Sequence, residues 1–442
     1  MATRRRPKLS LVLRCDPPGP SGCNNVIKTT GKENVVTLNP SLWEKLPENL
    51  LEQILAKLPF SALIRFCCVS KRWKNLLLSN EISTRCNSSM PVLVHSLAGP
   101  LTVYSPTRSG WEKLPVSYLP IDVSQLSLVA SASGLLCFST DTFGKFVVCN
   151  PLTKTYRILQ MPCGNGQGCV MPVPSPLHLN RDESGMNCMI RLGYLRVGMV
   201  FNEDTGFYKL VVASIYDGSG RTTLVYDSCY RIWKKVAIVP QGKFFRMKAI
   251  TAGGNLYCGI TGVESVAGGE SGGFAKLARY DAEKETWSAT LIPAHLGFLR
   301  KLVEHRDRLL LLVRPNWQIA ETFDFFELQE AGNKMWLASK YMPRMLMDSV
   351  YAAMSRPNNP ILRSYIKCFG HGDIMYFVGI CVKRAETDPA NNRCGRSITG
   401  LRVWTHDFST NSCLRLSDWE DWDLDNGPLS YHLLSPSLHA QV

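Results

Sequence analysis

"GGNLYCGI" (residues 253–260) and "RYDAEKETW" (residues 279–287) stand in one reach of the chain. The first is a pair of glycines leading a short apolar run. Glycine permits the backbone reversal, and the apolar run suits a short strand. In the second, Tyr280 and Asp281 precede a polar turn of about five residues, the kind of segment in which Asp bonds the backbone of its own turn. Trp287, seven residues after the Tyr, opens a return strand.

The same order recurs along the chain. "VYDSCYRIW" sets Tyr226 and Trp233 seven apart, and "VYSPTRSGW" does so with Tyr104 and Trp111. "VCNPLTKTY" (Cys149, Tyr156) and "THDFSTNSC" (His406, Cys413) keep the spacing with other residues. "DFFELQEAGNKMW" is read as a copy with a longer turn, from Phe326 to Trp336. Apolar strands led by turn residues precede several copies: "SGLLCFS" from Ser133, "DRLLLLV" from Asp307 and "GDIMYFVG" from Gly372. The repeat is then four strands, roughly fifty residues, present six times with insertions. One sheet of four short strands cannot bury both of its faces. Sheets stacked radially can, and that arrangement is a β-propeller. A β-sandwich or barrel array is the competing all-β reading.

Before the repeats the pattern differs. In "LPENLLEQILAKLPFSALIRFCCVSKRW" (residues 46–73), Leu50, Leu51, Ile54, Leu55 and Leu58 fall on one broad apolar face of a helix. Pro47 suits its first turn, and Pro59 ends it. Ser61 can cap a second helix with Leu63, Ile64 and Phe66, and Ser70 a third with Trp73, Leu76 and Leu77. Three helices of about ten residues make little core by themselves, so burial against something else is implied.

This segment resembles an F-box, the three-helix motif that docks onto a Skp-type adaptor in cullin-based ubiquitin ligases. The matching positions are Leu46, Pro47, Leu50, Ile54, Leu58, Pro59, Leu63, Arg65, Val69, Ser70, Lys71, Trp73 and Leu76. Cys67 and Cys68 stand where the family often has a bulkier or charged pair. The Gly-Gly, Tyr-Asp, Trp order resembles the kelch repeat, complete only at 253–287. "SASGLLCF…CNPLTKTYRIL" after an F-box resembles the plant F-box/kelch-repeat group. The resemblance implies a mainly β chain: a basic disordered tail over 1–40, a three-helix F-box over 41–86 and a six-bladed kelch-type propeller over 90–436. It implies adaptor contacts from Leu46, Pro47, Leu50, Ile54, Leu58, Pro59, Leu63, Val69 and Trp73, and a role as the substrate receptor of a Skp–cullin–F-box ligase. The partners are the adaptor, through it a cullin, and a protein substrate. The alternatives are a nuclear scaffold or transcription partner acting without ubiquitin transfer, and a propeller enzyme.

Composition narrows these choices. The chain has 442 residues, enough for two or three domains, and its apolar runs, such as Leu309–Val313, are too short to span a bilayer. The start, "MATRRRPKLSLVLR", lacks the apolar length of a secretory signal, whereas an organelle transit peptide stays open because the first acid is Asp16. No Cys-x-x-Cys occurs among the sixteen cysteines, which argues against a zinc framework and for reduced thiols in nucleus or cytoplasm. The net charge of +14 includes +5 (7 − 2) from residues 1–40, where "RRRPK" is a basic tail or an import signal. The remaining excess is spread thinly, which argues against direct nucleic-acid binding.

Catalytic sets are not found. The eight histidines show no metal-binding spacing, and there is no P-loop or nucleophile elbow. No cofactor, metal or catalytic residue is expected. Asp227 and Asp281 read as turn residues, and the acidic "DWEDWDLD" (residues 418–425) as an exposed connecting loop.

Two expectations concern the ring. Strands near Val92, Leu101 and Trp111 supply three of a first blade's four, so the fourth should come from Leu429–Leu434. The turns joining third and fourth strands gather on one rim. The long segments 162–190, 214–221, 261–275, 314–321, 342–348 and 383–398 gather on the other, and insertions on one face of a repeat array mark a binding side. Trp317, Tyr341, Met342 and Arg344 on that rim are the expected substrate contacts.

Overall fold

The computed structural model describes residues 46–56, 72 and 75 of the helical segment. Beyond it, with short internal gaps, it describes 92–162, 195–261, 276–314, 324–339, 361–384, 396–420, 430–434 and 440–442. The chain divides into two units at Leu55/Ala56. In the helical segment, α1 spans Glu48–Ala56. Of the second and third expected helices, Arg72 and Asn75 are described, and both are helical and exposed.

Six sheets follow among the described residues. The first holds β1 (Val92–Ser96), β2 (Thr102–Ser105) and β3 (Gly110–Lys113). The second holds β4 (Leu126–Ala132), β5 (Leu135–Thr140), β6 (Lys145–Asn150) and β7 (Thr155–Gln160). The third holds β8 (Arg196–Phe201), β9 (Tyr208–Tyr216), β10 (Arg221–Asp227) and β11 (Ile232–Ile238). The fourth holds β12 (Lys243–Phe244), β13 (Ile250–Ala252), β14 (Asn255–Thr261), β15 (Lys276–Asp281) and β16 (Thr286–Leu291). The fifth holds β17 (Leu299–His305), β18 (Arg308–Arg314), β19 (Asp324–Leu328) and β20 (Trp336–Ser339). The sixth holds β21 (Ile361–His371), β22 (Ile374–Arg384), β23 (Arg396–Asp407) and β24 (Ser412–Glu420). The last strand, β25 (Ser430–Leu434), returns to pair antiparallel with β1, Val94 opposite His432, so the first sheet reads β25-β1-β2-β3. Uniform four-stranded sheets were expected six times and occur five times. In the fourth sheet, β12 and β13 share one edge of β14, which makes five strands.

The inner strands neighbour one another in a closed circuit. β25 lies beside β4, β4 beside β8, β8 beside β13 and β14, β13 beside β17, β17 beside β21, and β21 beside β25. This is a β-propeller.

The burial pattern follows from the stacking. A middle strand lies between two neighbouring sheets and has no wet face, so Leu135–Phe138, Leu309–Val313 and Met375–Val378 are continuous buried runs. The outer strands β7, β11 and β16 are largely half-buried or exposed. Apolar clusters join the second sheet to the third, the third to the fourth and the fourth to the fifth: Cys137, Phe146 and Val148 with Tyr208, Leu210 and Tyr226; Val211 and Val225 with Leu256, Cys258 and Tyr280; Tyr257 and Leu277 with Leu302, Leu309 and Leu311. One close approach, between the fifth and sixth sheets, is made at a glycine. A Cβ on Gly370 of β21 would run into the Glu304 carbonyl oxygen and stand 2.8 Å from His305 Cα.

The seven-residue spacing marks cross-strand partners. Tyr104 faces Trp111, Cys149 faces Tyr156, Tyr226 faces Trp233, Tyr280 faces Trp287 and His406 faces Cys413. The sixth pairing differs from expectation: Trp336 faces Leu328, not Phe326, because β19 runs two residues further before its turn. "DWEDWDLD" is also corrected at its start. Asp418, Trp419 and Glu420 belong to β24, with Trp419 opposite Leu401. The segments 214–221 and 383–398 are likewise shorter than expected, since β9 runs to Tyr216 and β22 to Arg384, and β23 begins at Arg396.

Candidate functional site

Pro47 starts α1. Its carbonyl accepts the N–H groups of Leu50 (3.2 Å) and Leu51 (3.1 Å), and Asn49 Oδ1 accepts from Leu50 N at 2.9 Å. The helix does not carry one undivided apolar face. Leu51 and Leu55 are fully buried, whereas Leu50 (44 %) and Ile54 (38 %), one turn apart, are exposed. Side chains four apart sit over one another on a helix surface, so Leu50 and Ile54 form a short apolar ridge in water. Each is already more than half covered, so burying the rest gains about 1 kcal/mol per side chain. Leu46 is half-buried and Pro47 exposed beside the ridge. Leu58, Pro59, Leu63, Val69 and Trp73 lie outside the described residues, as do Trp317, Tyr341, Met342 and Arg344.

The described turns of the propeller are built by a repeated device. Asp227 Oδ1 accepts from Cys229 N (3.0 Å) and Tyr230 N (3.4 Å). Asp281 Oδ1 accepts from Glu283 N (3.0 Å) and Lys284 N (2.9 Å). Asp407 Oδ1 accepts from Ser409 N (2.8 Å) and Thr410 N (3.2 Å). In the second sheet Asn150 does the same for Leu152 (3.0 Å) and Thr153 (3.4 Å). Four residues later each turn closes on a residue with positive φ: Lys154, Arg231, Glu285 and Asn411. The backbone N–H of Lys284 holds the Asp281 carboxyl below the usual carboxylate range, with the Lys284 charge adding to it, and the Ser409 hydroxyl does so for Asp407. The Asp281 and Asp407 carboxylates are thus engaged by their own turns.

The turn from β17 to β18 sits where the fifth sheet meets the sixth. Arg306 and Asp307 both have positive φ, a two-residue reversal made without glycine. Arg306 pairs with Asp373 of the sixth sheet, and Asp307 N donates to Glu304 Oε1 at 3.0 Å. His305 is buried, edge-on to Phe408 at 4.6 Å, and Phe408 stands 4.8 Å from His406. Burial lowers the His305 pKa to about 4, and burial raises that of Glu304 to about 7.

Cys137, Cys149 and Cys258 are free and buried, and burial pushes the Cys149 and Cys258 thiols up to about 12. Among the described residues no group of three or more His, Cys, Asp or Glu is arranged to hold a metal ion, and no helix is long and apolar enough to cross a membrane.

One contact was not anticipated. Past the expected end of the propeller at 436, Ala440–Val442 packs against the second and third sheets, with Ala440 buried. The signal for it is slight. Asn150 stands at the turn position that is Asp in the other three described copies, and only the amide has an N–H to donate.

Residues 43–85 match the F-box domain family. An F-box/kelch-repeat protein of Arabidopsis thaliana is 26% identical over 238 residues, 52% of this chain and 52% of its own length. F-box only protein 6 of the same plant is 24% identical over 350 residues, 76% of this chain and 65% of its own length. A second Arabidopsis thaliana F-box/kelch-repeat protein is 33% identical over 135 residues, 28% of this chain and 32% of that one. The chain thus spans less than two thirds of the length of each of these relatives. The chain thus carries an F-box and is similar, over parts of its length, to plant F-box/kelch-repeat proteins.

Proposed function

We propose that the protein is the substrate-recognition subunit of a Skp–cullin–F-box ubiquitin ligase. The observation that carries this reading is the F-box match over a helix that leaves Leu50 and Ile54 in water while Leu51 and Leu55 are buried. A ridge of that kind suits an apolar groove on a partner. The adaptor contacts would be Leu46, Pro47, Leu50, Ile54, Leu58, Pro59, Leu63, Val69 and Trp73, and the adaptor would bring the cullin. The six sheets would act as the blades of one kelch-type ring over 90–436, after a basic tail at 1–40 and an F-box at 41–86. The subunit does no bond chemistry. It raises the effective concentration of a protein substrate near a ubiquitin-loaded enzyme.

Substrate would be held on the rim opposite the Asx turns, where Trp317, Tyr341, Met342 and Arg344 belong. Strand order supports this, since connections between second and third strands, and between sheets, leave from that side of an antiparallel blade. The site of action would be the nucleus or the cytoplasm.

The test is a pull-down with a purified Skp-type adaptor. Ile54→Asp puts an uncompensated charge into the proposed interface and should cut retention at least tenfold, while the melting temperature stays unchanged because Ile54 is exposed. Full retention by Ile54→Asp overturns the reading. In the same format, Trp317→Ala with Arg344→Ala should release the substrate and keep the adaptor.

A further inference from the structure

Three consecutive residues, Ala440–Val442, are each held by a hydrogen bond to their main chain. Asn150 Nδ2 donates to the Ala440 carbonyl at 3.1 Å. Gln441 N donates to the Gly206 carbonyl at 3.1 Å. The Arg157 guanidinium donates to the Val442 main-chain oxygen at 3.0 Å and also reaches the Tyr226 hydroxyl at 3.5 Å. Ala440 is 3 % exposed within the apolar cluster shared by the second and third sheets, Val442 packs on the same cluster, and Gln441 points to solvent. The slot is prebuilt on both sides. Asn150 is fully buried and is locked by its own turn through Leu152 and Thr153. Gly206, at φ 72°, closes a turn in which Gly206 N bonds Asn202 O and Thr205 N bonds Asn202 Oδ1, each at 2.9 Å.

We infer that this slot, between the turns at 150–155 and 202–207, is a peptide-binding site that Ala440–Val442 occupies in cis. It accepts an extended segment of a partner protein with the pattern small residue, any residue, aliphatic residue. The pattern follows from the contacts. The main-chain bonds do not read sequence, the Ala440 position has no room, the Gln441 position is wet, and the Val442 position is apolar. Asn150 is the residue that distinguishes this turn from its equivalents. An Asp would form the same turn, as Asp227, Asp281 and Asp407 do, but would set a carboxylate against the Ala440 carbonyl. The cis segment is then an autoinhibitory contact. The inference stands apart from the adaptor reading, since no residue of α1 takes part.

The experiment uses the chain with residues 440–442 deleted and a fluorescein-labelled peptide of sequence SPSLHAQV, read by fluorescence anisotropy. Saturable binding is expected to the shortened chain and at least tenfold less to the full chain. Asn150→Asp in the shortened chain should lower binding at least tenfold without moving its melting temperature, and a peptide with Trp in place of the Ala should not bind. Absence of binding by a folded shortened chain overturns the inference, as does binding indifferent to Asn150→Asp or to the Trp. Should the deletion unfold the ring, Gln441→Pro in the full chain removes the N–H given to Gly206 and carries the same test. If that variant also unfolds, the segment is part of the ring's structure and the inference is overturned.

Discussion

Trp287 tests how the third and fourth sheets stack. Its Nε1 donates to Thr223 Oγ1 at 2.8 Å, Thr223 is fully buried, and the indole packs on Tyr280 at 5.2 Å and Phe244 at 6.0 Å. Trp287→Phe keeps an aromatic ring in place and removes the N–H. The buried Thr223 hydroxyl then loses its partner, which costs about 1–3 kcal/mol. The smaller ring gives up roughly 40 Å² of apolar area, about 1 kcal/mol if fully buried and less here, where Trp287 is half-buried. Trp287→Phe should therefore destabilise by about 2–3 kcal/mol. Thr223→Val has the same shape without the hydroxyl and strands the indole N–H, at about 1–2 kcal/mol. In the double variant neither polar group is left unpaired, so its cost should approach that of the lost ring area alone. Urea unfolding of the four proteins, followed by tryptophan fluorescence and far-UV circular dichroism, gives a coupling energy that should be about 2–4 kcal/mol. If the two changes simply add, the hydrogen bond does not join the sheets and the stacking described here is wrong.

Three further outcomes are expected. Deleting residues 430–442 removes β25, leaves β1 as an open edge and should lower the melting temperature of the whole propeller; an unchanged thermal transition would refute closure by that strand. Gly370→Ala forces a methyl group into the Glu304–His305 backbone, which cannot rotate aside, and should cost about 3 kcal/mol or more by urea unfolding. Around His305 and Glu304 two pH effects oppose each other. His305, with its pKa lowered to about 4, supplies stability above about pH 6.5 that is lost as pH falls through 4. Glu304, raised to about 7, supplies stability below about pH 4.5 that is lost as pH rises through 7. Glu304→Gln should therefore make stability rise between pH 4 and 6.5 more steeply than in the parent, as followed by melting temperature; a slope unchanged from the parent would count against it.

The repeat was legible because cross-strand geometry leaves a count in the chain. A Tyr and a Trp that face each other across a short turn must be a set number of residues apart, and five of the six pairs could be read from that number. Trp336 was misread because Phe326 and Leu328 are both apolar, and only the length of β19 chooses between them. Ring closure was legible by subtraction, from three strands where four were needed. On α1 the apolar spacing predicted the helix but not its division, since Leu50 and Leu51 are the same residue type and burial depends on what packs above each. The Arg306–Asp307 reversal had no glycine to announce it; the Asp373 pair and the Glu304 acceptor hold it instead. Ala440–Val442 was invisible because three residues bound by their main chain carry no periodicity.

The pairing of β25 with β1 sets an order of events during synthesis. Tyr431 meets His95 some 336 residues later (431 − 95). At ribosomal speeds of about 5–20 residues per second, β1 waits roughly 20–70 s for its inner neighbour. Throughout that interval the nascent chain presents an unpaired strand edge, the template on which other chains aggregate. The five other sheets draw their strands from consecutive sequence and can form as they emerge. The first sheet to be made is therefore the last to be finished, and a chain stalled anywhere before Ser430 is an open arc that quality control can recognise by that edge.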